Sequence, residues 1–138
     1  LRLPGIYGPG RSQLERIRAG AGQRIVKPGQ VFNRIHVDDI VGAVRTIMTH
    51  DDAARHPAIN ITDDLPAPPQ DALSYAAELL GVAPPPEVTF EDADLSAMAR
   101  SFYAENKRIS NALLTSGFGY RLRYPTYREG LAALSEAR

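Results

Sequence analysis

The chain has 138 residues, with sixteen basic and sixteen acidic side chains, three His and no Cys. That length suits one ordinary domain with a core of its own, and the balanced charge provides no net field to gather nucleic acid or an anionic membrane. Without Cys there are no disulfides, thiolate metal sites or thiol nucleophiles, as expected of a protein in the reducing cytoplasm, and no apolar run approaches the roughly 20 residues that a membrane-spanning helix needs.

Leu1 to Leu3 reads as a short strand with nothing before it to pair with, as at a cut end, and Pro4 stops it. A Gly- and Pro-rich loop follows from Gly5 to Gly10. Ser12-Gln13-Leu14-Glu15 matches a capping box, in which the hydroxyl and the carboxylate satisfy free N–H groups at a helix start; it predicts a helix over about 13–19, closed by Gly20. Arg24 to Lys27 and Val31 to Val37 flank the turn dipeptide Pro28-Gly29 and predict extended segments paired with each other. Asp38 or Asp39 then caps a helix whose apolar positions Ile40, Val41, Val44, Ile47 and Met48 repeat at helical spacing.

Ala58 to Thr62 predicts another short strand, and the loop Asp63 to Pro69 leads to a helix over about 70–80 with Leu73, Ala76, Ala77 and Leu80 on one face and Gly81 as its stop. Alternation of strand and helix is the rhythm of an α/β fold. Pro84-Pro85-Pro86 is stiff and extended, with a small strand expected over Glu87 to Phe90. The organisation expected is one of sheet-completing strands and helices over residues 1–83 and substrate-side and closing segments over 84–138. Ser110 caps a short helix ending at Gly117, and Thr126-Tyr127-Arg128-Glu129 is a second capping box, opening a last helix with Leu131 and Leu134 inward.

Gly5-x-x-Gly8-x-Gly10 after a strand invites a reading as a dinucleotide fingerprint. Pro9 removes an N–H that a phosphate would need, and the acidic residue expected about 20 positions on is missing. The run Arg2-x-Pro4-Gly5-Ile6-Tyr7-Gly8-Pro9-Gly10 instead resembles the segment of extended short-chain dehydrogenases/reductases, of the NAD-dependent epimerase/dehydratase kind, that follows their catalytic Tyr and Lys. Arg34-Ile35-His36-Val37-Asp38-Asp39-Ile40 is similar to the family's His-Val-Asp-Asp entry into an apolar helix. Ile59-Asn60-Ile61 with its polar loop resembles the family's next strand, and Lys107 to Asn111, Gly117-Phe118-Gly119 and Tyr124 to Leu131 resemble its closing pattern, so the resemblance covers nearly the whole chain.

The resemblance implies an α/β fold: the C-terminal portion of a Rossmann-like doubly wound parallel sheet, holding Leu1–Leu3 and Ala58–Thr62, plus a small mixed substrate-binding subdomain. It implies a dinucleotide-binding N-terminal half outside this chain, with NAD or NADP as cofactor and a small-molecule substrate reacting at a hydroxyl or keto carbon. Backbone at Pro4, Gly5 and Ile6 is then the cofactor-binding element, and Gly independently allows close approach of backbone to ligand. Tyr7, Arg11, Arg34, His36, Arg100, Tyr103 and Lys107 are the expected substrate contacts, Arg34 and His36 because residues two apart in a strand share a face, and Arg and Lys because they suit anionic groups. No catalytic residue is expected in the chain. Tyr103-Ala104-Glu105-Asn106-Lys107 spells the family's catalytic Tyr-x-x-x-Lys, but in the wrong place, after His36 rather than before Leu1. For Asp38, Asp39 and His36 helix capping and burial compete with catalysis, and the His at 36, 50 and 56 lack metal-ligand spacing. One departure stands out: neither Gly5 nor Ile6 supplies the side-chain amide usual in members that act on nucleotide-sugars, which puts such a substrate in doubt. A homodimer is a further expectation. The alternative reading is a non-catalytic NAD(P)-sensing module of the same fold, since fold does not fix function.

Overall fold

The computed structural model describes residues 1–137. Its strands are short: β1 (Gly5–Tyr7), β2 (Arg24–Val26), β3 (Arg34–His36) and β4 (Glu87–Thr89). The helices are α1 (Gln13–Arg18), α2 (Val37–Ile47), α3 (Pro69–Leu80), α4 (Ala97–Ser101) and α5 (Tyr127–Glu136), with a 3-10 turn at Ala53–Arg55 and a π-helical turn at Leu113–Gly117. No helix among the described residues is long and apolar enough to cross a membrane.

All strand pairing is parallel, β1 with β3 and β2 with β4, as the α/β expectation requires. Three local expectations need correction. The expected strands Leu1–Leu3 and Ala58–Thr62 are both reduced to one parallel bridge, Arg2 with Asn60, made by Arg2 N–H to Ile59 O at 2.9 Å and Ile61 N–H to Arg2 O at 3.0 Å. The strand forms instead at Gly5–Tyr7, within the stretch expected to be loop, because the chain there runs beside β3 in the register Gly5–Arg34, Ile6–Ile35, Tyr7–His36. Arg24–Val26 and Arg34–His36 do not pair across Pro28-Gly29: β2 pairs with Glu87–Thr89, about sixty residues on, fastened by Arg24 Nε donating to Pro85 O at 2.7 Å.

The helix ends follow local chemistry. Ser12 caps α1, accepting from Leu14 N–H, and Gly81 at φ 66° closes α3 in the left-handed conformation that Gly adopts most cheaply. The Thr126–Glu129 capping box opens α5 with both of its halves formed. Ser110 Oγ accepts from Ala112 N–H ahead of the π-helical turn, and α4 has no counterpart among the expected elements. Helix α2 is capped by His36 rather than by Asp38 or Asp39, since His36 Nδ1 accepts from Asp38 N–H at 3.1 Å. Its inward face is also corrected. Asp39, Ala43 and Ile47 are buried, whereas Val41 and Met48 stand out at 54% and 80% exposed.

Two cores lie on either side of β3. Ile35 enters one, with Ala43, Ile47, Ile59, Ile61, Leu114, Phe118 and Leu122. The other holds Tyr7, Leu14, Ala67, Ala72, Ala76, Tyr127 and Leu131, where α1 and α5 pack on α3. Segments from either side of residue 83 interlock in this way. In the second core the Tyr7 ring lies where Gly130 of α5 has no side chain; a Cβ there would come within 2.7 Å of ring carbons. Gly130→Ala therefore tests packing against propensity. Propensity alone makes Ala about 1 kcal/mol more favourable within a helix, but overpacking costs typically about 1–3 kcal/mol. We expect a net loss and a lower Tm in thermal unfolding, partly recovered by Tyr7→Phe in the same chain; a raised Tm would refute the contact.

Candidate functional site

In open α/β folds ligands sit beyond the carboxyl ends of the strands. Here a cleft of about 430 Å³ opens where the chain leaves the Arg2–Asn60 bridge, lined by Arg2, Leu3 and Pro4, by Asn60 and Thr62, and by the segment Lys107 to Ser110. Such a volume lies within the ordinary range for small-molecule sites. The outer wall has no regular secondary structure, yet it is held firmly. Asn33 reads both sides of Arg108, its Nδ2 donating to Lys107 O at 2.8 Å and its Oδ1 accepting from Ile109 N–H at 2.9 Å. Asn106 accepts from Val31 N–H at 3.0 Å and donates to Gly29 O at 2.8 Å, and Asn60 Nδ2 donates to Ser110 O at 3.3 Å.

Of the expected site residues, Pro4 and Lys107 reach this cleft. Gly5 and Ile6 are exposed just beyond it, and a Cβ on Gly5 would come within 3.3 Å of Asn33 O. Arg11 is exposed on its own loop. Arg100 is tied to its own subdomain, over the Phe90 ring at 4.8 Å and donating to Ala93 O at 3.0 Å. Tyr103 is buried against Phe32 and Phe90, and its carbonyl accepts from Lys27 Nζ. Helix α4 stops at Ser101, so Tyr103 and Lys107 are not stacked on successive helical turns, and Lys107 pairs with Glu105 at 2.6 Å. The cation-beside-phenol arrangement suggested by the Tyr-x-x-x-Lys spelling is absent at this position.

Tyr7, Arg34 and His36 turn inward instead. Arg34 and His36 do share a face, but it is the face of the second core. The Arg34 guanidinium donates to Phe32 O at 3.2 Å and to Ala67 O at 3.3 Å and lies over the Tyr127 ring. His36 is 2% exposed, held between Tyr7 at 5.1 Å and Tyr124 at 4.2 Å between ring centroids. Burial keeps its imidazole pKa low, so it is neutral near pH 7; with Nδ1 accepting, Nε2 carries the proton and has no acceptor among the described residues. Burial also raises the Tyr7 phenol pKa, with Asp63 and Asp39 adding to it, which keeps the phenol protonated and makes Tyr7 a poor acid. Beside it Asp63, 2% exposed, accepts from Leu65 N–H through Oδ1 while Oδ2 has no hydrogen-bond partner among the described residues; desolvation pushes its pKa up to about 7, against the pull of the Leu65 N–H and of Arg34.

The cleft residues Arg2, Asn60, Thr62, Arg108 and Ser110 stand in segments marked by the resemblance but are not among the expected ligand contacts, because three segments far apart in the chain supply the cleft.

No family model matches the sequence. A conserved protein of unknown function from Silicibacter pomeroyi is 51% identical, with a TM-score of 0.84, over 98% of this chain and 46% of that one. A Methylobacillus flagellatus protein described as an NAD-dependent epimerase/dehydratase is 32% identical, with a TM-score of 0.65, over 99% of this chain and 45% of that one. A 3-diazoavenalumate denitrifying reductase from a Streptomyces species is 29% identical over 142 residues, which take in 95% of this chain and 45% of the relative. Chains at 18–22% identity, solved with NAD or NADPH among their ligands, share the fold at TM-scores of 0.63–0.68. The chain spans about half the length of these relatives. In fold and in the order of its segments, the chain is similar to the C-terminal part of Rossmann-like proteins of the NAD-dependent epimerase/dehydratase kind.

Proposed function

We propose that this chain is the substrate-side half of an NAD(P)-dependent oxidoreductase, epimerase or dehydratase acting at a hydroxyl or keto carbon. The observation that carries the reading is the alignment of the whole chain with just under half of an NAD-dependent epimerase/dehydratase and of a reductase, with a cleft at the strand ends where this fold binds ligands.

The residues expected at the cofactor fit that role. Pro4 rims the cleft and Gly5 offers exposed backbone without a side chain, so a flat ring can lie against them. The nicotinamide, when bound, would supply the hydride donor or acceptor. This chain's own part is to bind and orient: the cleft walls position the substrate, and burial of Tyr7 and His36 fixes the loop that follows Pro4. The proton that leaves with the hydride is handled by a Tyr and Lys in the preceding half.

The intact protein tests this. We expect micromolar NAD or NADP binding, a Gly-x-x-Gly-x-x-Gly and a Tyr-x-x-x-Lys before Leu1, and a loss of about 10²–10⁴ in turnover when that Tyr becomes Phe. Tyr103→Phe should cost no more than about tenfold. A thousandfold loss of kcat at Tyr103, with folding and cofactor binding intact, would place the active site in the wrong half. Cofactor binding without the upstream Tyr-x-x-x-Lys, and without turnover, would favour the sensing module instead.

A further inference from the structure

Residues 105–111, whose middle forms the outer wall of the cleft, belong to no helix or strand, and from Glu105 to Ser110 their backbone makes no hydrogen bond to other backbone among the described residues. Such a strap needs partners of another kind, because backbone N–H and C=O groups left without any cost free energy wherever water is excluded. Here the partners are side-chain amides. Towards one end Gln30 Nε2 donates to Glu105 O at 2.7 Å and Asn106 bridges Gly29 and Val31; towards the other Asn60 Nδ2 donates to Ser110 O at 3.3 Å and Asn111 Nδ2 to Thr62 O at 3.0 Å. The middle is held by Asn33, whose Nδ2 and Oδ1 take Lys107 O and Ile109 N–H together. A primary amide suits that task because it carries a donor and an acceptor in one planar group. The Lys107–Glu105 ion pair lies within the strap and does not anchor it to the body of the protein. Asn33 has a second attachment: its backbone carbonyl accepts from Gly5 N–H at 3.2 Å, where Gly5 runs beside β3. One residue thus meets both walls of the cleft, through its main chain on the Gly5 side and through its side chain on the strap side.

We propose that Asn33 is a positioning residue that fixes the spacing of the cleft, holding the strap at 107–109 against the Pro4–Gly5 backbone and keeping water out of the site on that side. The proposal rests on the functional reading above and adds to it a residue that lies outside the cleft lining and acts through the two segments it joins. Truncation to Ala separates the two attachments, since it leaves the main-chain bond to Gly5 and removes both bonds to the strap.

The test uses the intact protein with NADH and NADPH as probes. In Asn33→Ala the Gly5 side is untouched, so the better-bound of the two cofactors should keep its Kd within about threefold, in a protein that still unfolds in one cooperative urea transition. The middle of the strap should come free, and trypsin acting on the native protein should cut after Lys107 or Arg108, both exposed, about tenfold faster or more, as mass spectrometry of the fragments reads. Acrylamide should then reach the bound dihydronicotinamide, its fluorescence-quenching constant rising about twofold or more towards that of free cofactor. A residue that only stabilised the fold would not move that signature at an unchanged Kd. Asn33→Asp, which keeps an acceptor for Ile109 N–H and loses the donor to Lys107 O, should move both readouts the same way by less, and it carries the test if the Ala variant does not fold. Equal cutting and equal quenching in wild type and variants, with cofactor bound normally, overturns the positioning role and leaves the oxidoreductase reading standing. Faster cutting with quenching unchanged also overturns it, because the strap would then move without opening the site. Binding of neither NADH nor NADPH by the wild type removes the functional reading, and the positioning role with it.

Discussion

Replacing Asp39 by Ala is expected to lower folding stability by about 3–5 kcal/mol, the range for stripping the partner from buried, hydrogen-bonded groups. Asp39 is fully buried in the first turn of α2, yet it does not cap that helix. Its Oδ1 accepts from Tyr120 Oη at 2.8 Å and from Arg123 N–H at 2.7 Å, and its Oδ2 accepts from Tyr124 N–H at 3.0 Å. One carboxylate thus organises the loop that carries the chain into α5, more than eighty residues away. Ala would leave two backbone N–H groups and a phenol without acceptors, in a region where Tyr124 also packs on His36. The order of effects separates this role from a generic acid near a helix start. Asp39→Asn keeps one acceptor oxygen and should cost less than Ala, while Tyr120→Phe removes one hydrogen bond and should cost about 0.5–1.5 kcal/mol. Urea unfolding of the three variants checks the order. An Asp39→Ala chain within 1 kcal/mol of wild type would mean that the loop is held by something else.

The same residue marks where sequence reading succeeds and where it stops. The Thr126–Glu129 box, the Gly81 stop and the extent of α3 are legible because the deciding interactions lie within four residues. The face of α2 is not, because its apolar residues form two competing stripes. Val37, Val41 and Met48 make one, and Ile40, Ala43 and Ile47 the other. What selects the second is Asp39, whose partners lie at 120–124. The parallel pairing of β2 with β4 fails to show for the same reason: it joins residues about sixty apart. Local spacing instead favours the hairpin that Pro28-Gly29 suggests. At the candidate site, every lining segment is recognisable by resemblance, but that Arg2, Asn60 and Arg108 meet at one cleft follows from contacts between segments far apart in the chain, among them those that Asn33 makes on both sides of Arg108. Arg34 and His36 show the limit of strand alternation. Their shared face is predictable, but whether it looks into a cleft or into a core depends on α5, which covers it.

Asp63 should make the protein lose stability as pH rises from about 4 to about 7, opposite to the usual behaviour of a paired carboxylate. Unfolded, its carboxyl titrates near 3.9; in the fold, desolvation holds it up at about 7. Between those values the native state keeps a proton that the unfolded state has released, so stability falls with pH in this window; the contribution is complete below about pH 4 and gone above the native pKa. At 1.36 kcal/mol per unit the total is at most about 4 kcal/mol. Buried His36 works in the other direction. Its pKa is lowered by burial, so protonation favours the unfolded chain as pH falls through about 6.5. The measurement must therefore be a difference: unfolding free energies of wild type and Asp63→Asn from pH 4 to 8.5, in which the His36 contribution cancels. Asn keeps the oxygen that accepts from Leu65 N–H and cannot ionise. We expect the two proteins to be close at pH 4 and the Asn variant to become the more stable by about 2–4 kcal/mol at pH 8, the difference growing through the window. A flat difference would mean that Asp63 is ionised throughout, its charge met by Arg34 despite the two backbone carbonyls that guanidinium already serves.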